Sequence, residues 1–152
     1  MNSLIGLIKQ EYPHYTDEQV LKLAMYSDMM SFISVCSPEA LSNKTPDFHY
    51  EIANNIQNKN ILKLNILSFR GSAKSSIASY FLPLWKICTK PDNEIPYILI
   101  ISESQGQAKN FLDRIKGELS DNAKIKYYFG DLGESTAKRW QADDIILANE
   151  VS

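Results

Sequence analysis

The stretch "ILKLNILSFRGSAKSSIASYFLPLWKIC" (residues 61–88) decides how the whole chain is read. Its opening, 61–69, is apolar and β-favouring. Leu62, Leu64 and Ile66 alternate with Lys63 and Asn65, which predicts a strand covered fully on one face only. Its close, 74–88, predicts a helix that bends or ends near Pro83. Between them lies "SFRGSAKSS" (68–76), a turn of small residues that reaches the helix through Lys74-Ser75. A phosphate-binding loop, G-x-x-x-x-G-K-[ST], occupies such a strand-to-helix turn. Aligned on Lys74-Ser75, the two glycine positions fall on Ser68 and Ala73, with Gly71 inside the loop.

The chemistry of such a loop sets its requirements. Successive backbone N–H groups and a helix N-terminus must face the anion. A lysine must reach the β- and γ-phosphates, and a hydroxyl must hold Mg²⁺. Lys74 and Ser75 are the candidate side chains, with residues 68–76 as the candidate nucleotide-binding segment. Ala73 fits if its φ is negative and is strained if φ is positive. The alternative is a Gly/Ser turn into a helix with Lys74 merely solvated.

Downstream, "PYILIIS" (96–102) is a continuous apolar run, as expected for a strand covered on both faces. Ser104 caps a helix with Gln107 at N3, and Ala108, Phe111, Leu112, Ile115 and Leu119 share one face of it. "AKIKYYFG" (123–130) and "DDIILAN" (143–149) read as two further strands around a polar connection. Upstream, Leu4, Ile5, Leu7 and Ile8 predict a short helix before Pro13. Thr16-Asp17-Glu18-Gln19 is a capping box that opens a helix to about Val35, in which Met25, Met29, Met30 and Phe32 read as core. "CSPEALSNKTPD" (36–47) is a polar boundary loop, and "FHYEIANNIQ" (48–57) another short helix. The pattern predicts an α/β fold: a P-loop NTPase-like, mostly parallel sheet flanked by helices and right-handed crossovers, preceded by an N-terminal helical segment.

With 152 residues, 44% hydrophobic and 22% charged, the chain suits one globular domain. Net charge is −2 at pH 7, so no global positive field points to nucleic acid. Residues up to Gln57 carry three basic and seven acidic side chains; those from Lys59 onward carry thirteen basic and eleven acidic. DNA contact would need a local patch in the second part. Cys36 and Cys88 form no CxxC and read as buried small hydrophobes in a reducing compartment. "MNSLIGLIKQEY" is apolar too briefly to span a membrane and has no basic n-region, which predicts an intracellular protein.

"FRGSAKSS" resembles the phosphate loop of phage terminase large subunits, the DNA-packaging ATPases, in which alanine before the lysine is a family variant. "DFHYEIANNI", "SYFLPLWKIC", "YILIISESQGQAKNFLDRIKGEL" and "YYFGD…RWQADDIILAN" resemble further family segments in the right order, covering roughly residues 20–149. Phe69 stands where proline is common, and Ser76 where threonine is. The resemblance implies an N-terminal helical segment (1–46) and an ATPase core (47–152) truncated before the acidic Walker B-type motif. It implies ATP and Mg²⁺ as cofactors, held by Ser68, Phe69, Arg70, Gly71, Ser72, Ala73, Lys74, Ser75 and Ser76. Lys74 would bind the β/γ-phosphates, Ser75 the Mg²⁺, and Arg70 would be the catalytic residue coupling hydrolysis to movement. The alternative for Arg70 is a surface arginine paired with a carboxylate. Phe48 and His49 stand open between a place near the adenine and ordinary helix packing. In the complete motor the partners would be double-stranded DNA, the portal protein and the small terminase subunit, with no membrane, in the host cytoplasm at the procapsid portal. The second reading is a truncated, non-catalytic nucleotide- or partner-binding module.

The acidic half of such a site is not evident. Glu150 follows an apolar run, but neutral Asn149 occupies the metal-side position, so Glu150 reads as solvated. Asp143 and Asp144, as strand neighbours, would point to opposite faces. His14 and His49 lack metal-ligand spacing. Lys124/Lys126 and Lys138/Arg139 read as solvated charges rather than DNA contacts.

Overall fold

Thr16 opens the second helix as its sequence predicts. Its Oγ1 accepts the Gln19 N–H (3.2 Å), and the Gln19 side chain accepts the Thr16 N–H (2.9 Å). The computed structural model describes residues 2–41, 45–90 and 97–148. It divides into two compact units, Met1–Ile77 and Ala78–Ser152.

The first unit is helical: α1 (Asn2–Glu11), α2 (Asp17–Ser27), α3 (Met29–Cys36), a 3₁₀ turn (Pro38–Leu41) and α4 (Asp47–Gln57). The single helix expected to run to Val35 is broken at Asp28, whose extended backbone ends α2 and starts α3. The Asp28 carboxylate accepts from the Ser31 N–H and hydroxyl, each at 2.7 Å, replacing the intrahelical partner that the break removes. The break lets α3 turn its apolar side inward: Met29, Met30, Phe32, Ile33 and Cys36 are all buried with Met25 of α2. Ile8, Val20 and Ala24 form a cluster with Leu4 and Ile5 against it, while Leu7 stands out of that face, exposed. The α3 and α4 helices pack together, and the Met29 N–H donates to the Gln57 side chain at 2.7 Å. Ala53, fully buried, is the small residue α4 places in this core.

The second unit holds most of the helix begun at Lys74. A three-residue turn, α5 (Lys74–Ser76), is followed by a π turn (Ile77–Phe81) and α6 (Leu82–Cys88). Pro83 sits in the first turn of α6. Lacking an N–H, it cannot close an ordinary helical bond to the residue four before it, and the widened π turn lies where that bond would fall. The α7 helix (Gln105–Asp121) starts at Ser104, whose Oγ accepts the Gln107 N–H at 3.3 Å. Ile115 and Leu119 are buried and Ala108, Phe111 and Leu112 half-buried, as their spacing predicts. The Tyr80 hydroxyl donates to Glu118 (2.8 Å), and the Arg114 guanidinium lies 4.0 Å from the Tyr80 ring centre. In the loop at 131–135, the Gly133 N–H and then the Ser135 hydroxyl donate to Asp131, holding its carboxyl below the usual carboxylate range.

Among the described residues the parallel-sheet α/β architecture does not form. The structure is 60% helical, and its sheet is one antiparallel pair, β1 (Arg139–Trp140) with β2 (Ile145–Ile146). This overturns the P-loop NTPase-like fold expected from the strand–helix alternation. Residues 61–69 and 97–102 carry no helix and no ladder. Leu62, Leu67, Tyr97 and Ile101 are 93%, 88%, 89% and 82% exposed, not covered as strands of a layered sheet would be. Residues 123–130 are helix α8 (Ala123–Phe129), not a strand. Asn122 caps it, accepting from the N–H groups of Lys124 (3.0 Å) and Ile125 (3.1 Å). A strand would place Ile125, Tyr127 and Phe129 on one face. Instead Ile125 and Phe129, four apart, are buried and Tyr127 is 67% exposed, the helical period. Of 143–149 only Ile145–Ile146 is strand, and Asn149 and Glu150 lie outside the described residues.

Candidate phosphate-binding loop

All nine residues of the candidate segment lie in the first unit, between the non-helical run 61–67 and the helical turn at Lys74. Two left-handed residues shape it. Gly71 has φ +86° and Ala73 has φ +58°, ψ +11°. Gly71 adopts this at no steric cost, whereas Ala73, the non-glycine residue of described positive φ, pays about 1–2 kcal/mol. A left-handed residue followed by a right-handed helical one turns successive N–H groups to the same side, the arrangement of an anion-binding nest. Ala73 and Lys74 have that alternation. The first helical bond closes from the Ile77 N–H to the Ala73 carbonyl (3.0 Å), so the N–H groups of residues 73–76 have no protein acceptor among the described residues.

Strain at Ala73 gives a direct test. Ala73→Gly should raise stability by about 0.5–1 kcal/mol, the relieved strain less the extra entropy of an unfolded glycine. Chemical denaturation measures it. A loss of stability would show that residue 73 leaves the left-handed region in solution.

The side chains divide into three roles. Lys74 reaches back over the loop, its Nζ donating to the carbonyls of Ser68 (3.2 Å) and Phe69 (3.3 Å). This holds the ammonium on the loop that carries the free N–H groups. Ser72 is 2% exposed, and its Oγ has no hydrogen-bond partner. A buried hydroxyl left unpaired costs about 1–3 kcal/mol, which a ligand acceptor would recover. Phe69, Arg70, Gly71, Ala73 and Ser75 are exposed; Ser68, Lys74 and Ser76 are half-buried. Among the described residues Arg70 and Lys74 pair with no carboxylate, and the ion pairs lie elsewhere, at Lys9–Asp17 (2.7 Å) and Arg139–Asp144 (2.5 Å). The carboxylate partner weighed for Arg70 is therefore not found there.

One contact of the site has no signal in sequence spacing. His49 Nε2 lies 2.8 Å from the Ser72 carbonyl, 23 residues away along the chain. Since a carbonyl only accepts, Nε2 carries the proton and donates. Phe48 meets Phe69 edge-to-face, with ring centres 5.9 Å apart. The Phe-His pair thus braces the outside of the loop by one hydrogen bond and one aromatic contact.

No cluster of three or more His, Cys, Asp or Glu side chains suitable for a metal occurs among the described residues. Asp144 is ion-paired to Arg139, and Lys124 and Lys126 stand exposed on α8. The free thiols of Cys36 and Cys88 are buried. No helix among the described residues is long and apolar enough to cross a membrane. The second unit also has an apolar groove of about 630 Å³ between Pro83, Tyr97, Leu99, Leu112 and Ile145.

Comparison with protein-family models, with curated proteins and with solved structures finds no match to this chain.

Proposed function

We propose that residues 68–76 bind the phosphates of Mg–ATP, and that the chain is the ATP-binding part of a DNA-packaging motor of the terminase large-subunit class. The observation that carries this reading is the nest itself: free N–H groups at residues 73–76 beside a lysine ammonium already held on the same loop. A phosphate oxygen takes the N–H groups as donors, and the Lys74 ammonium exchanges loop carbonyls for the β/γ-phosphates. The buried Ser72 hydroxyl supplies a further unsatisfied donor at the loop. Arg70 is exposed and without a carboxylate partner among the described residues, which supports a role in meeting charge that develops on the transferred phosphate. The DNA, portal and small-subunit partners, and the site of action at the procapsid portal, rest on the resemblance of the loop and of the segments around it.

The reading concerns the loop and requires no parallel sheet behind it. Among the described residues no carboxylate contacts the loop to polarise a water, so the expectation for these residues is binding without efficient turnover.

Thermal denaturation with and without Mg–ATP tests it. At a hundredfold excess over Kd, ATP should stabilise the protein by about 2.7 kcal/mol, and Lys74→Ala should abolish the shift. An equal shift in Lys74→Ala would place binding elsewhere, and fast turnover by the parent chain would restore the non-catalytic Glu150 to candidacy as a base.

A further inference from the structure

We infer that His49 is a positioning residue for the phosphate loop, an inference that rests on the reading above. The contact acts through a single peptide group. The Ser72 carbonyl and the Ala73 N–H belong to the same planar, trans peptide and point in opposite directions. The His49 ring holds that carbonyl at 2.8 Å. It therefore sets the direction of the Ala73 N–H, the first of the free donors of the nest, away from α4.

This peptide needs such a hold. Its orientation is set by ψ of Ser72 and φ of Ala73, and the strain at left-handed Ala73 leaves the flipped orientation, which returns that φ to negative values, energetically near. A flip would turn the Ser72 carbonyl oxygen toward the anion and the N–H away from it. The standard loop has glycine at the position of Ala73 and adopts its φ without strain. Here the strained peptide is held from outside by a side chain on a neighbouring helix. Ser72 itself is 2% exposed, so water does not compete for its carbonyl as it would on an open turn. The α4 helix that carries His49 is fixed in turn on α3, through the Gln57–Met29 hydrogen bond and buried Ala53.

The role predicts affinity for the phosphate chain, independent of the base. Isothermal titration of the full chain with Mg–ATP and, separately, with Mg–tripolyphosphate reads it. His49→Ala should raise Kd for both ligands about tenfold, the value of one well-placed hydrogen bond. His49→Gln, whose amide N–H can reach the same carbonyl, should restore Kd to within about threefold of the parent. Unchanged affinity in His49→Ala overturns the inference and leaves the phosphate loop standing. Weak binding in both variants also overturns it, since packing rather than the donated hydrogen bond would then be responsible. Loss confined to ATP, with tripolyphosphate unaffected, overturns it in favour of a contact to the nucleoside. If the parent chain binds neither ligand, the phosphate-loop reading falls and this inference with it. Should His49→Ala not fold, His49→Gln decides alone: parent-like Kd supports the inference and a tenfold loss overturns it.

Discussion

Ile125→Ala should lower the stability of the second unit by about 2–4 kcal/mol, while Tyr127→Ala should cost under about 1 kcal/mol. The contrast follows from the helix that replaces the expected strand. Ile125 is fully buried and Tyr127 is 67% exposed, although they are two apart. In a strand they would share a face, and their truncations would cost comparably. In α8 they lie roughly 200° apart around the axis at 3.6 residues per turn, and of the two only Ile125 is buried. Urea denaturation followed by the far-ultraviolet helix signal measures both. Equal, large losses would restore the strand over 123–130. The Asn122 cap supports the helix independently, since its side chain satisfies two of the N–H groups that α8 leaves unpaired at its start.

Phe32→Ala should cost the first unit about 3–5 kcal/mol, the largest single loss expected in the chain. Phe32 has no exposed surface and sits in the apolar run Met29–Cys36 that the break at Asp28 turns inward. The α3 helix is where α2 and α4 meet, so a cavity at Phe32 weakens the support of the helix that carries His49. If the loop binds ATP as proposed, Phe32→Ala should also weaken that binding, through a smaller population of competent loop rather than through lost ligand contact. Leu7→Ala, on the exposed side of α1, is the control and should stay within about 0.5 kcal/mol of the parent. A stability loss at Phe32 below about 1 kcal/mol would show that the unit does not form around this residue.

Local signals were legible where one turn of chain sufficed to carry them. The Thr16–Gln19 capping box and the Ser104 cap form as their sequences predict. The apolar face of α7 also faces the core, and the methionines and Phe32 of the N-terminal segment are buried. The same reading missed the cap at Asn122, although asparagine before "AKIKYYF" is a start signal of the same kind as Ser104. Ile125, Tyr127 and Phe129 stand at period two, while the spacing of Ile125 and Phe129 fits a helix equally well; the exposure of Tyr127 is what separates the two. The strands at 61–69 and 96–102 were expected from an apolar alternation and from a continuous apolar run. Content of that kind expresses how well a residue fits a pleated surface once a partner strand exists, and no partner is formed for either stretch among the described residues.

By itself the sequence determined the capped helix starts at Thr16 and Ser104 and the placement of Lys74 and Ser75 at a helical turn. Each of these rests on contacts within about four residues, which composition and spacing encode directly. Tertiary structure alone decided the rest. It decided that the apolar runs do not build a parallel sheet, because a strand is stable only through hydrogen bonds to another segment and local preference does not choose that segment. It decided that His49 meets the Ser72 carbonyl, because a contact across 23 residues depends on how α4 packs on α3. And it decided that Ala73 takes a positive φ, a strain that no local preference favours and that the surrounding loop imposes.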